Sequence, residues 1–231
     1  MTKEIVKHSN DFSVYRYSLG HRSLKVLLST IAQIEKDDTQ EKVYSISRED
    51  AIKLTGINER DWRRVSEDIT DELISMVVQK KWKSATTGAI EFIKKTVFRE
   101  ISYSSGKLSF TFSPEIQRDL FNLSEKFKMY HLSDIRSLNS APVTRLFMWM
   151  KNLEKLRKTI RIPYEDLLDA TGMSGSMREQ TSAFFRQVID RAQQDFAKHD
   201  LPIDFTYKKI KEGKRIVAVD FNVFAPVYID E

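Results

Sequence analysis

The stretch "EDAIKLTG", Glu49–Gly56, returns as "EDLLDATG", Glu165–Gly172, and the residues around the two copies decide the fold. Each copy reads as a short helix. Two carboxylates open it, where a helix N-terminus favours negative charge. Thr-Gly closes it, because glycine enters the left-handed C-cap conformation without a Cβ clash. Ser47 precedes the first copy in "SRED", an N-cap with a carboxylate three residues on. Pro163 precedes the second, and proline suits a helix start. An apolar residue, Ile57 or Met173, follows each glycine.

The repetition extends outward in both directions. Upstream lie "SLGHRSLKVLLSTIAQIEK", Ser18–Lys36, and "SLNSAPVTRLFMWMKNLEK", Ser137–Lys155, which align without a gap. Leu24, Leu27, Leu28, Ile31 and Ile34 recur at helical spacing, as do Val143, Leu146, Phe147, Met150 and Leu153. Downstream, "NERDWRRVSEDITDELISMVV" and "SMREQTSAFFRQVIDRAQQDF" each predict a longer helix. The first opens at Asn58, and the second at Ser176 through a Ser-x-x-Glu capping box. Each copy then closes with a strand–turn–strand pattern. The turns are expected at Ser105-Gly106 in "TVFREISYSSGKLSFTF" and at Glu212-Gly213 in "IDFTYKKIKEGKRIVAVDFNVF".

The order is therefore helix, short helix, glycine turn, longer helix, β-hairpin, written twice. A short helix joined by a tight turn to a longer one is the helix-turn-helix pattern. A hairpin after it makes a winged helix. The predicted architecture is α+β, with two tandem winged-helix domains related by internal duplication, one over residues 1–125 and one over 126–231. The length of 231 residues accommodates two such domains, and with 7 Gly and 5 Pro no long linker is expected.

In a helix-turn-helix the second helix enters the DNA major groove. In the first copy Trp62, Val65, Ile69 and Leu73 predict the buried stripe, leaving Arg60, Arg63, Arg64 and Glu67 outside. In the second, Phe185, Val188, Ile189, Ala192 and Phe196 predict the buried stripe. Gln180, Ala183, Gln187 and Gln194 are expected to face outward, with Arg186 on the flank and Ser176 and Arg178 at the start. Arginine can read guanine, and glutamine adenine, through the major-groove edge. The bland alternative is a solvated helical face. The hairpin tips supply cations suited to phosphates. The second tip has Lys208, Lys209, Lys211, Lys214 and Arg215; the first has Lys94, Lys95, Arg99 and Lys107. "QKKWK", Gln79–Lys83, is a further basic run, whose Trp82 is expected to anchor the hairpin. Two such domains would read about one helical turn each, a non-palindromic site of roughly 20 base pairs.

The formal net charge of +5 leans toward a polyanionic partner. The absence of cysteine excludes disulfides, thiolate catalysis and cysteine zinc sites. The N-terminus shows no apolar signal segment, and no stretch has the length of a transmembrane helix. His8, His21, His131 and His199 lack metal-ligand spacing. No phosphate-binding loop, dinucleotide fingerprint or nucleophile elbow is present. The sequence thus predicts no enzyme, catalytic residue, cofactor, metal or membrane partner.

Three segments carry a family resemblance: "IVKHSNDFSVYRYSLGHRSLKVLLSTIAQI", "YHLSDIRSLNSAPVTRLFMWMKNL" and "DFTYKKIKEGKRIVAVDFNV". With the helix-turn-helix segments they cover most of the chain. They resemble the Rep initiators of iteron-containing bacterial plasmids, proteins with two winged-helix domains. The resemblance implies monomers that bind origin iterons, help open an adjacent AT-rich region, and recruit the host initiator and replicative helicase. Many such proteins also dimerise, largely through the N-terminal domain, and repress their own promoter at an inverted repeat. It implies a bacterial cytoplasmic, plasmid- or nucleoid-associated location. In that family the C-terminal domain makes the main base contacts, which favours Arg178, Gln180, Arg186 and Gln187 over first-domain residues. The sequence ends soon after the second wing, at "APVYIDE", so no long C-terminal tail is expected. Two alternatives stand beside this reading: a winged-helix transcriptional regulator with no initiation role, and a protein-interaction module without salt-dependent DNA affinity.

Overall fold

Both short helices form where the repeated motif places them, in a computed structural model that describes residues 5–9, 15–35, 37–121, 127–151, 153, 159–173 and 178–224. The chain divides into two units, Met1–Arg136 and Ser137–Glu231. The sequence reading divides it after residue 125. The later division follows from a strand at Phe127–His131 that pairs antiparallel with Ile5–Ser9 and so belongs with the N-terminal unit.

In that unit the order is β1 (Ile5–Ser9), α1 (His21–Ile31), β2 (Tyr44–Ser47), α2 (Arg48–Thr55) and α3 (Trp62–Ile74). Then follow β3 (Val77–Lys83), β4 (Ile90–Thr96), β5 (Phe98–Ser104), β6 (Lys107–Phe112), α4 (Pro114–Phe121), β7 (Phe127–His131) and α5 (Leu132–Arg136). The second unit runs α6 (Ala141–Met150), β8 (Ile160–Pro163), α7 (Tyr164–Ala170) and α8 (Thr181–Phe184), which continues through a π-helical stretch, Phe185–Asp190, into α9 (Arg191–Lys198). The strands β9 (Asp204–Glu212) and β10 (Arg215–Phe224) close it.

The duplication is written into the sheet order. The first unit has the three-stranded sheet β2-β6-β5, and the second has β8-β10-β9. In each, a short strand before the helix-turn-helix pairs with the outgoing strand of the wing. The helix-turn-helix punctuation behaves as its chemistry requires. Ser47 Oγ accepts the Asp50 N–H at 3.0 Å, capping α2. Gly56, at φ 68°, closes the same helix in the left-handed region, its N–H bonding Ile52 O at 2.9 Å. Ile57 and Met173, next after the glycines, are buried.

The wing turns differ in type but solve one problem. Ser104 pairs with Lys107 and Glu212 with Arg215, so each loop has two residues. Ser105 and Gly106 both take positive φ, whereas only Gly213 does so in the second loop. Such mirror-image turns match the right-handed twist of the flanking strands.

The helical stripes form the cores. Leu24, Leu27, Leu28 and Ile31 of α1 are buried with Trp62, Val65, Ile69 and Leu73 of α3. Phe98 stacks on Phe112 at 4.9 Å beneath them. In the second unit Phe147 meets Phe196 edge-on at 5.7 Å, and Phe196 meets Phe205 at 5.8 Å. Edge-to-face and offset rings stabilise beyond their buried area. Glu72 of α3 adds a polar tie. Its carboxylate accepts the Gly20 N–H at 2.6 Å and the Ser23 hydroxyl, so it caps α1 from a neighbouring helix.

Four sequence expectations change. "QKKWK" is strand β3 of an extra hairpin with β4, and Lys94 and Lys95 lie on β4 rather than on the first wing. Trp82 ties this extra hairpin rather than the wing: it is 42% exposed and donates across the two strands to Glu91 Oε2 at 2.7 Å. The longer helix of the second unit starts at Thr181, not at the Ser176 cap, and Ser176 lies outside the described residues. Ala183 is inward, 8% exposed, because the adjacent Phe184 and Phe185 are both buried and widen the inner stripe at the α-to-π junction.

Candidate nucleic-acid interface

Each unit joins its longer helix to its wing through aromatic chemistry. In the first, the Trp62 indole N–H donates to the Tyr103 hydroxyl at 3.2 Å, with ring centroids 6.1 Å apart. In the second, Tyr164, Phe185 and Tyr207 stack in succession at 6.0 and 5.7 Å. The Tyr207 hydroxyl donates to Asp190 Oδ1 at 2.6 Å. Burial first, then that carboxylate, pushes the Tyr207 phenol up to about 12, so it stays protonated and keeps donating. The helix and wing of each unit therefore present one fixed surface.

The first surface is charge-balanced. Arg60, Arg63 and Arg64 are exposed on α3 and the turn before it. Each has a carboxylate close by: Asp61 at 3.9 Å, Glu67 at 3.8 Å and Asp68 at 3.5 Å respectively. Such exposed pairs are weak and release readily to a phosphate. A groove of about 560 Å³ runs between α3 and the wing, lined by Arg48, Arg60, Arg63, Glu67 and Tyr103 among others. Arg48 is held by Glu59 at 3.1 Å across the helix-turn-helix turn.

The second surface is not balanced. Arg186, Gln187 and Gln194 are exposed on the outer face of the helix, and Gln180 is exposed at its N-cap. Arg186 forms no ion pair among the described residues. On the wing Lys208, Lys209, Lys211, Lys214 and Arg215 are exposed. Lys209 sits lower than the sequence suggests. Its ammonium lies 4.0 Å from the centroid of the Phe185 ring, at the junction of wing and helix, where a ring face attracts a cation. Lys211, Lys214 and Arg215 occupy the tip. Lys208 pairs in register with Asp220, whose carboxylate is already held by Arg161 at 2.7 and 2.9 Å.

Arg178 has a different environment from its sequence-assigned companions. One guanidinium nitrogen donates to Asp169 Oδ1 at 2.6 Å and to Met173 O at 3.2 Å; the other donates to Glu165 Oε2 at 2.7 Å. Burial would lower its pKa, but the two carboxylates outweigh that and raise it. It braces the turn of the second helix-turn-helix, as Arg48 and Glu59 brace the first. Both carboxylates stand in the repeated "EDLLDATG" motif, Glu165 at its opening and Asp169 one helical turn on, so the motif also fixes the turn. The signal available in sequence was their helical spacing, four residues apart on one face.

The sequence reading did not find the Tyr207–Asp190 bond, the Lys209–Phe185 contact or the Arg161–Asp220 pair. Each joins residues distant in sequence or on different elements. Among the described residues no group of acidic or histidine side chains is arranged to hold a metal ion. Nor is any described helix long and apolar enough to cross a membrane.

Comparison with known proteins adds family and fold. The family model described as initiator replication protein, WH1, matches residues 5–151. The model described as initiator Rep protein, WH2, matches residues 163–223. A crystal structure of the Pi initiator protein in complex with iteron DNA is similar at a TM-score of 0.73 and 18% identity, covering 97% of this chain and 98% of that one. Domains 2 and 3 of RctB are similar at a TM-score of 0.50 and 12% identity, covering 96% of this chain and 86% of that one. No curated protein sequence matches the chain significantly.

Proposed function

The chain belongs to the initiator replication protein family, matched across both winged-helix domains, and from that premise we propose that it binds repeated iteron sequences in duplex DNA and so initiates replication of a bacterial plasmid. The observation that carries this reading is the unbalanced surface of the second unit. Arg186 and the wing cations Lys208, Lys211, Lys214 and Arg215 form no ion pair among the described residues, and the wing is fixed to the helix by the Tyr207–Asp190 bond. Arg186, Gln187 and Gln180 read base edges in the major groove, while Lys208, Lys209, Lys211, Lys214 and Arg215 hold phosphates. Ser176, which lies outside the described residues, is a further DNA contact in this reading. Arg178 positions the turn and reaches DNA only indirectly.

The first unit contributes Arg60, Arg63 and Arg64 as secondary contacts. Their balancing carboxylates make this surface weaker in affinity and lessen its contribution to the salt dependence. No chemical step is assigned to the protein. Its binding energy distorts and opens an adjacent AT-rich duplex, and host initiator and helicase complete the opening. Self-association through the N-terminal unit and repression of its own promoter belong to the same reading.

A replication assay tests initiation apart from binding. The gene is joined to a DNA segment that the protein selects, on a circle with no other origin, and introduced into bacteria. Autonomous maintenance that depends on both gene and segment is the expected result. A segment that is bound tightly but never maintained would leave only a transcriptional regulator.

A further inference from the structure

The N-terminal unit carries a β-hairpin that the second unit lacks. There α9 runs on to β9, whereas here β3 and β4 intervene between α3 and the wing. These two strands pair with each other, apart from one backbone bridge between Arg16 and Gln79. A two-stranded ribbon is marginal in water, so its base needs anchors. It has them. Val78 is fully buried, Lys95 Nζ lies 2.5 Å from Asp119 Oδ2, and the Tyr15 hydroxyl donates to the same carboxylate.

Beyond those anchors one face is open. The register puts Lys81 opposite Phe92, Lys83 opposite Ile90 and Gln79 opposite Lys94, all on one side. Phe92 is 60% exposed and Ile90 69%. Lys94 Nζ sits 5.9 Å from the Phe92 ring centroid. No acidic residue lies on this side; Glu91 is on the other, bonded to Trp82. The face is thus an exposed aromatic ring set among cations.

We propose that this face binds single-stranded nucleic acid, with a base stacked on Phe92 and the backbone held by Lys81, Lys83 and Lys94. The proposal rests on the initiator reading for the origin of the strand, which an opened duplex would supply. A duplex hides the faces of its bases, so the ring discriminates for an unpaired strand, and stacking accepts any base. Charge complementarity selects a polyanion over a second copy of the chain, because a symmetric pairing would set these lysines against themselves. Lysines on an exposed ribbon also discourage edge-to-edge pairing. Phe92, Ile90 and, near the base, Val77 are the exposed apolar residues of this face, too little surface for stable membrane anchoring.

The test is fluorescence anisotropy of the full chain with a labelled oligothymidylate of about 20 nucleotides, longer than one single-strand site. A duplex that the protein selects is measured in parallel. Phe92→Ala is expected to weaken oligothymidylate binding about tenfold. Phe92→Tyr retains it. Lys81→Gln with Lys94→Gln weakens it and flattens its salt dependence by about one to two units. All variants keep the wild-type melting temperature and the wild-type duplex affinity. Equal oligothymidylate affinity for wild type and Phe92→Ala would overturn the proposal. So would wild type that binds the duplex but no oligothymidylate, whether Phe92→Ala then abolishes flotation with phosphatidylglycerol vesicles or converts a dimer to a monomer. Oligothymidylate binding that needs Phe92, without duplex binding, would support this site and sink the initiator reading.

Discussion

Arg178→Ala is expected to lower the melting temperature of the second unit by about 10 °C and to weaken DNA binding with it. The guanidinium side chain is only 30% exposed, and it faces Asp169, 12% exposed. Removing it leaves that carboxylate without its nearest counterion, and breaking a fully buried pair costs about 3–5 kcal/mol. Glu165 is 62% exposed and contributes little, so the expected loss is nearer 2 kcal/mol. The Met173 carbonyl loses a donor in the same stroke. Because the brace spans the helix-turn-helix turn, the recognition helix loses its fixed angle before the domain unfolds. Arg178→Lys keeps the charge but not the fork, and is expected to recover part of the stability. Calorimetry and binding on the same samples decide the matter. A melting temperature unchanged in Arg178→Ala, with altered base preference at one position, would make Arg178 a direct reader.

Neutralising the wing gives the opposite signature. Lys208, Lys211, Lys214 and Arg215 changed together to glutamine are expected to weaken duplex binding on the order of a hundredfold near physiological salt. The slope of log affinity against log salt falls by about three to four, one for each lost phosphate contact. All four side chains are exposed, so the melting temperature stays unchanged. The ranking of preferred sequences also stays, because phosphate contacts position the protein without reading bases. Lys209 is left out because its ammonium packs on Phe185 and its loss would disturb the wing base. A quadruple variant with unaltered salt slope would remove the wing from the interface.

The repeat made the fold legible. Helix stripes, glycine caps and two-residue turns are local signals, and each winged helix is built from them. The strands β2 and β8 were not legible, being only four residues each, with their order set by pairing to β6 and β10 far along the chain. The β3–β4 hairpin was hidden because its lysines read as a basic run rather than as one face of a ribbon. The π-helical stretch escaped because periodicity assumes one turn length throughout, and Phe184 with Phe185 breaks it. For the candidate site, helix faces were readable and side-chain commitments were not. Arg178 and Arg186 look alike in sequence; only the folded turn sets Asp169 and Glu165 against the first and leaves the second open.

The measurement that bears most directly on the DNA-reading surface is selection from a pool of duplex fragments, at two salt concentrations, with the bound fragments sequenced. Enrichment of a directly repeated element of roughly 20 base pairs, one helical turn for each winged helix, is expected. Its affinity should fall steeply as salt rises, and Arg186→Ala should relax preference at one position within it. No enrichment at either salt would contradict sequence-specific recognition by these two domains.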